Sequence, residues 1–228
     1  MKKILIALAC TSLLAATSAH ASVISYDVSK ASTITNWSDV LSVKKFDSTL
    51  GTLNSITFEL GGSVAGSGRA ESLDAAGSTI TLSLSSLLTL TRPDGSTIVV
   101  TNPVFSNSYG VTAFDGIIDF SGKSGVATGT VGSSHTESKI STSASDFALF
   151  SQAGGGTISL SLQANGLSSA SGAGNLISQF STSAAGDLKV SYDYTAAAPV
   201  PEPETYAMLI GGLGLLGLVR RRAAKQAA

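Results

Sequence analysis

The sequence predicts an all-β protein: an antiparallel β-sandwich, compatible with a jelly-roll topology, flanked by an N-terminal signal helix and a C-terminal short transmembrane helix. Three observations predict it. Apolar and polar residues alternate with period two in several segments, turn residues separate those segments, and an uncharged apolar run lies beside basic residues at each end.

The first element is the signal helix. Lys2 and Lys3 precede an apolar run from Ile4 to Ala16, and Ala19-His20-Ala21 supplies the small residues of an A-x-A cleavage site. The mature chain is expected to begin at Ser22, after export. A buried N-terminal helix would need a polar face, and none interrupts the run. Cys10 leaves with the signal, so the exported part has neither a disulfide framework nor a thiolate metal cluster. Its stability must come from an apolar core, and roughly 175 residues suffice to build one.

The strands follow. In "SITFEL" Ile56, Phe58 and Leu60 point one way; in "TITLSLSS" Ile80, Leu82 and Leu84 do. "TISLSLQA" groups Ile158, Leu160 and Leu162, and "LKVSYDYT" groups Leu188, Val190, Tyr192 and Tyr194. The opposite faces carry Ser, Thr, Asp or Lys and can stay wet. Arg92-Pro93-Asp94-Gly95 predicts a hairpin turn, and Ala153 to Gly156 a turn ahead of the Thr157 strand. Sheets with one apolar face must cover it, which a second sheet does. Two Gly/Ser/Ala-rich stretches, 61–72 and 165–187, read as loops or edge strands, the second as a surface loop. No clear amphipathic helix lies between Ser22 and Ala198.

The last element runs from Tyr206 to Val219, fourteen residues without a charge. As a helix it reaches about 21 Å against a hydrocarbon core of about 30 Å. Arg220, Arg221 and Arg222 form a cationic stop that favours the cytoplasmic side. Upstream, Pro199, Pro201 and Pro203 keep a helix from propagating into the preceding domain.

Pro201-Glu202-Pro203, followed by the apolar helix and the arginine cluster, resembles the PEP-CTERM sorting signal of Gram-negative bacteria. The resemblance implies processing by an exosortase, a membrane-embedded thiol enzyme, after transient insertion in the inner membrane. It also implies a cell-surface or extracellular destination in bacteria that make extracellular polysaccharide. The expected organisation is a signal peptide over 1–21, an exported domain over 22–198 and a sorting signal over 199–228. Within the domain, Phe46-Asp47 with Leu50-Gly51-Thr52-Leu53, and Phe114-Asp115-Gly116 leading to Asp119-Phe120 and Gly122, resemble the choice-of-anchor E domain, a secreted β-rich module. That family implies no activity for these residues.

The chemistry-bearing residues are few. Phe46 and Phe114 read as core anchors, and Asp47 and Asp115 as turn caps. Asp115 and Asp119 are also candidate calcium ligands, although two carboxylates supply too few of the six to eight oxygens that calcium takes. As a glycosidase pair they lack a neighbouring acid or aromatic platform. His135, the one histidine after the signal, has no G-x-S-x-G partner and reads as an exposed loop residue. Trp37 reads as a packing residue; together with Tyr192 and Tyr194 it is the aromatic set that could stack on a sugar. No catalytic residue, metal or cofactor is expected. Between Ser22 and Ala198 eight Lys or Arg face thirteen Asp or Glu, dispersed, a balance that disfavours nucleic acid. The expected function is non-enzymatic, structural or adhesive, with extracellular polysaccharide as partner. A carbohydrate-binding module is the alternative, and a secreted hydrolase a weaker one.

Overall fold

A computed structural model describes residues 21–197 and 203–226. The signal segment, with Ala19, and the motif residues Pro201 and Glu202 lie outside the described residues. One compact unit spans His20–Ala196, and the tail from Ala197 belongs to a second.

The compact unit contains β1 (Ala21–Ile34), β2 (Trp37–Lys44), β3 (Phe46–Asp47), β4 (Gly51–Ser72), β5 (Ser78–Thr91), β6 (Thr97–Thr101) and β7 (Val104–Val111). It continues with β8 (Gly125–Ala127), β9 (Val131–Ser141), α1 (Ala144–Phe150), β10 (Ser151–Gln152), β11 (Thr157–Gly166), β12 (Ser169–Ser171) and β13 (Leu176–Ala196). The tail holds α2 (Pro203–Gln226). The strands form two antiparallel sheets. The first runs β1-β13-β4, with β8 and β9 sharing the far edge of β4; the second runs β2-β11-β5, with β12 paired to β5 next along from β11, and β6 and β7 also paired to β5. A short parallel pair, β3 with β10, closes one end.

The period-two segments are strands, and their apolar sets face between the sheets. Ile56, Phe58, Leu60, Ile80, Leu82, Leu84, Leu160, Leu162 and Val190 are all fully enclosed. Aromatic packing thickens this core at the end where the chain enters and leaves: Phe58 lies edge-on to Phe150 with centroids 5.0 Å apart, and Phe46 tilts against Tyr194 at 5.0 Å. The Arg92–Gly95 turn forms as expected, with the Gly95 amide donating to the Arg92 carbonyl at 2.9 Å and Gly95 at φ +84°. Arg92 staples that hairpin to α1 through a two-pronged pair with Asp146, Nε to Oδ1 at 2.7 Å and Nη2 to Oδ2 at 2.9 Å.

Two expectations are corrected. The stretch 61–72 is neither loop nor edge: it continues β4, paired with β13 on one side and with β9 and β8 on the other. The stretch 165–187 is chiefly β12 and the first half of β13, rather than a surface loop. The physical reason is size. A Cβ on Gly62 would stand 2.8 Å from Thr101 Cγ2, and one on Gly186 2.8 Å from Leu162 Cδ2. Here the sheets approach closely, and small residues do the facing. The short helix α1 is a further addition: Ser143 caps it by accepting from the Asp146 amide at 3.2 Å.

Candidate functional site

Between Thr112 and Gly125 the chain lies over the end of β4. Three residues there lie at positive φ: Gly116 at +97°, Phe120 at +59° and Gly122 at +71°. A phenylalanine in the left-handed region carries strain that its surroundings must offset. The Phe120 amide donates to Glu71 Oε2 at 2.7 Å, and its ring lies 4.6 Å from the Arg69 guanidinium carbon. Asp115 and Asp119 each turn the segment: Asp115 Oδ1 accepts from the Ile117 amide at 3.1 Å, and Asp119 Oδ1 from the Ser121 amide at 2.9 Å. The buried Ser124 hydroxyl accepts from the Asp115 amide at 3.3 Å.

Glu71 is the residue that sequence reasoning missed. It sits on the outer face of its strand, yet the covering segment leaves it no exposed surface, and its Oε1 has no hydrogen-bond partner. A buried oxygen left without a hydrogen-bond partner costs about 1–3 kcal/mol. Its only sequence signal was a lone acid, Glu71, closing a Gly/Ser/Ala stretch.

The other singled-out residues are dispersed. His135 lies on strand β9 rather than in a loop; it is exposed, with Nε2 3.6 Å from Glu137 Oε2. Asp47 accepts from the Thr49 amide at 2.9 Å and the Gly154 amide at 2.8 Å, which hold its carboxyl below the usual range. Phe46 is buried, while Phe114 is half-buried. Half-buried Trp37 donates from Nε1 to the Ala184 carbonyl at 3.3 Å. Tyr192 is fully enclosed, its hydroxyl donating to the Lys44 carbonyl at 2.8 Å, and burial pushes its pKa up. It cannot stack on a sugar from that position, so the aromatic set reduces to Trp37 and Tyr194. Among the described residues no three His, Cys, Asp or Glu side chains are gathered closely enough to hold a metal ion.

The outer face of the first sheet carries a groove of about 510 Å³. Gly61 forms its dip, with Asp27, Glu59, Asp187 and Lys189 around it. None of these four is ion-paired to another described residue. The outer face of the second sheet is instead a field of hydroxyls, with Thr81 Oγ1 and Ser108 Oγ 2.8 Å apart.

In the tail, Pro203 opens α2 at the first helical position, where a missing amide costs nothing. Met208, Ile210, Leu213, Leu215, Leu216 and Leu218 are exposed on it. Residues 199–223 match the model of the PEP-CTERM protein-sorting motif. The chain carries a PEP-CTERM sorting signal. Signals of this kind are recognised by exosortase and mark an exported protein sorted through its C-terminus. The expected transmembrane helix is corrected in one respect: no helix among the described residues is long and apolar enough to cross a membrane. Glu204 near its start and the arginines near its end confine the uncharged run to the fifteen residues from Thr205 to Val219.

No curated protein matches the chain. Among solved structures, the infectious bursal disease virus Gx strain aligns at 13% identity over 84% of this chain and 49% of that one, with a TM-score of 0.20. The VP2 subviral particle of infectious bursal disease virus aligns at 14% identity over 80% and 38%, TM-score 0.20. The Macrobrachium rosenbergii nodavirus aligns at 11% over 89% and 62%, TM-score 0.21. The chain thus spans less than two thirds of each of these proteins, and similarity at this level carries no argument.

Proposed function

We propose that the chain is an exosortase substrate whose sandwich serves a structural or adhesive role, without catalysis of its own, at the cell surface or in extracellular polysaccharide. The observation that carries the reading is the PEP-CTERM motif at residues 199–223. The apolar side chains exposed on α2 support transient insertion in the inner membrane before the tail is removed. The strand order, β1-β13-β4 then β9 facing β2-β11-β5 then β6 and β7, supports a jelly roll. The Phe46-Asp47 and Phe114-Asp115-Gly116 segments support a choice-of-anchor E-like module, and the sequence from Lys2 to Ala21 supports removal of a signal peptide.

Replacing Pro201, Glu202 and Pro203 together by alanine and fractionating the native host tests sorting. The variant is expected to stay with the inner membrane while the wild type leaves it. Equal distribution of the two would refute exosortase sorting.

A second reading, a carbohydrate-binding module, is favoured by the unpaired polar side chains around the Gly61 groove. Glycan arrays probed with wild type and with Glu59→Gln/Asp187→Asn would show binding lost in the variant. No binding by the wild type rejects that reading.

A further inference from the structure

We propose that a pocket at Arg69, on the outer face of the first sheet, takes a carboxylate-bearing sugar. This goes beyond the sorting reading and concerns a different place from the Gly61 groove. The starting point is charge. The pocket, about 300 Å³, is lined in part by Ser67, Arg69, Gln179 and Ser181. Arg69 is the one charged residue of that lining, whereas the Gly61 groove carries three carboxylates and a lysine. None of the ion pairs among the described residues involves Arg69. A cation in a pocket free of acids attracts an anion.

The guanidinium is steadied before any ligand arrives. Its carbon lies 4.6 Å from the centroid of the Phe120 ring, and Nε and Nη2 both donate to Gln179 Oε1. Phe120 is the residue held at φ +59°, so the strained covering segment places the ring that fixes Arg69. These contacts leave Nη1 with no partner among the described residues. Because Gln179 turns its oxygen to the guanidinium, its amide nitrogen is a second donor, directed away. Two N–H donors on adjoining side chains match the two oxygens of a carboxylate. Ser67 and Ser181 form the next same-face pair of β4 and β13, about 7 Å along the strands, and offer hydroxyls that can both donate and accept. A bare inorganic anion would use the guanidinium and leave the serine pair idle. A sugar ring that carries a carboxylate engages both, and the volume lies at the small end of the range for ligand pockets.

Affinity electrophoresis of the full chain in a neutral detergent, through native gels that contain polygalacturonate or dextran, tests the site. The wild type should be retarded by polygalacturonate and not by dextran, and less so at high salt. Arg69→Gln should weaken the apparent affinity about tenfold or more, because a hydrogen bond to a charged group is lost. Arg69→Lys keeps the charge without the fork and should recover only part of it. Free galacturonate should compete and acetate at the same concentration should not; equal competition by acetate would mean a bare anion site and overturns the sugar assignment. No retardation of the wild type, or undiminished retardation of Arg69→Gln, overturns the proposal. Retardation kept in Arg69→Gln but lost in Glu59→Gln/Asp187→Asn would put the sugar in the Gly61 groove, so that the carbohydrate-binding reading stands while this one fails. Should Arg69→Gln fail to fold, Gln179→Glu decides instead, since Gln179 is exposed and the added carboxylate neutralises the pocket: retardation should vanish, and unchanged retardation overturns the proposal.

Discussion

The two ends of the sandwich are held together in opposite ways. Toward the chain termini, β4 and β13 face the second sheet with Ile56, Phe58, Leu60, Leu188, Val190 and Tyr192, and bulk fills the space. Toward the far end the same two strands present Gly62, Val64, Ala70, Ala184 and Gly186, and the backbones close in until Leu88 and Leu162 fill what remains. One pair of strands thus changes its packing rule part-way along. At the first end a smaller residue should hurt, and at the second a larger one should.

The largest effect belongs to the bulky end. Phe58→Ala removes a fully enclosed ring from its contact with Phe150 and should cost about 3–5 kcal/mol in chemical denaturation. At the far end the sign of the size change reverses. A Cβ on Gly62 would stand 2.8 Å from Thr101 Cγ2 and 3.1 Å from Leu88 Cδ1, both on the facing sheet. Gly62→Ala should therefore cost about 1–3 kcal/mol, although it adds a single methyl group. A Gly62→Ala variant as stable as wild type would dissolve the contrast between the two ends.

A smaller effect sharpens the comparison electrostatically. The Arg92–Asp146 pair lies at the bulky end, and the hydrogen bonds from Arg92 hold the Asp146 carboxyl below its ordinary value of 3.8. Asp146→Asn should cost about 1–2 kcal/mol near neutral pH, because Arg92 remains partly solvated. The carboxyl is depressed in the folded state, so its contribution is complete above about pH 5 and is lost as the pH falls through the folded-state value. Stability curves of wild type and Asp146→Asn should run parallel above about pH 5 and converge below about pH 4; a gap unchanged at low pH would mean that the pair contributes nothing through its charge.

The bulky end was legible because hydrophobicity itself alternates there: Ile56, Phe58 and Leu60 announce a buried face, and so do Ile158, Leu160 and Leu162. The far end was not, because in 61–72 and 165–187 the inward positions are marked by smallness, and smallness is also the mark of a loop. Tyr192 shows the limit of residue type: its place in the alternation pointed inward, while its chemistry suggested a sugar platform. His135 belongs to an edge strand whose exposed positions read like loop sequence. Glu71 was illegible for a different reason. Its burial comes from a segment more than forty positions away in the chain, and nothing local to Glu71 foretells that cover.

The tail contrasts with both ends. Its apolar side chains are exposed along α2, its uncharged run is short for a bilayer, and its meaning lies in the order of motif, helix and arginines. The central claim is that this segment directs sorting and is then lost. Intact mass spectrometry of the protein recovered from its native host tests it most directly. A mass that ends at or near the Pro201-Glu202-Pro203 motif in wild-type cells, and extends to Ala228 in cells without the exosortase, is the predicted result; a mass that includes Arg220 to Ala228 in wild-type cells would contradict it.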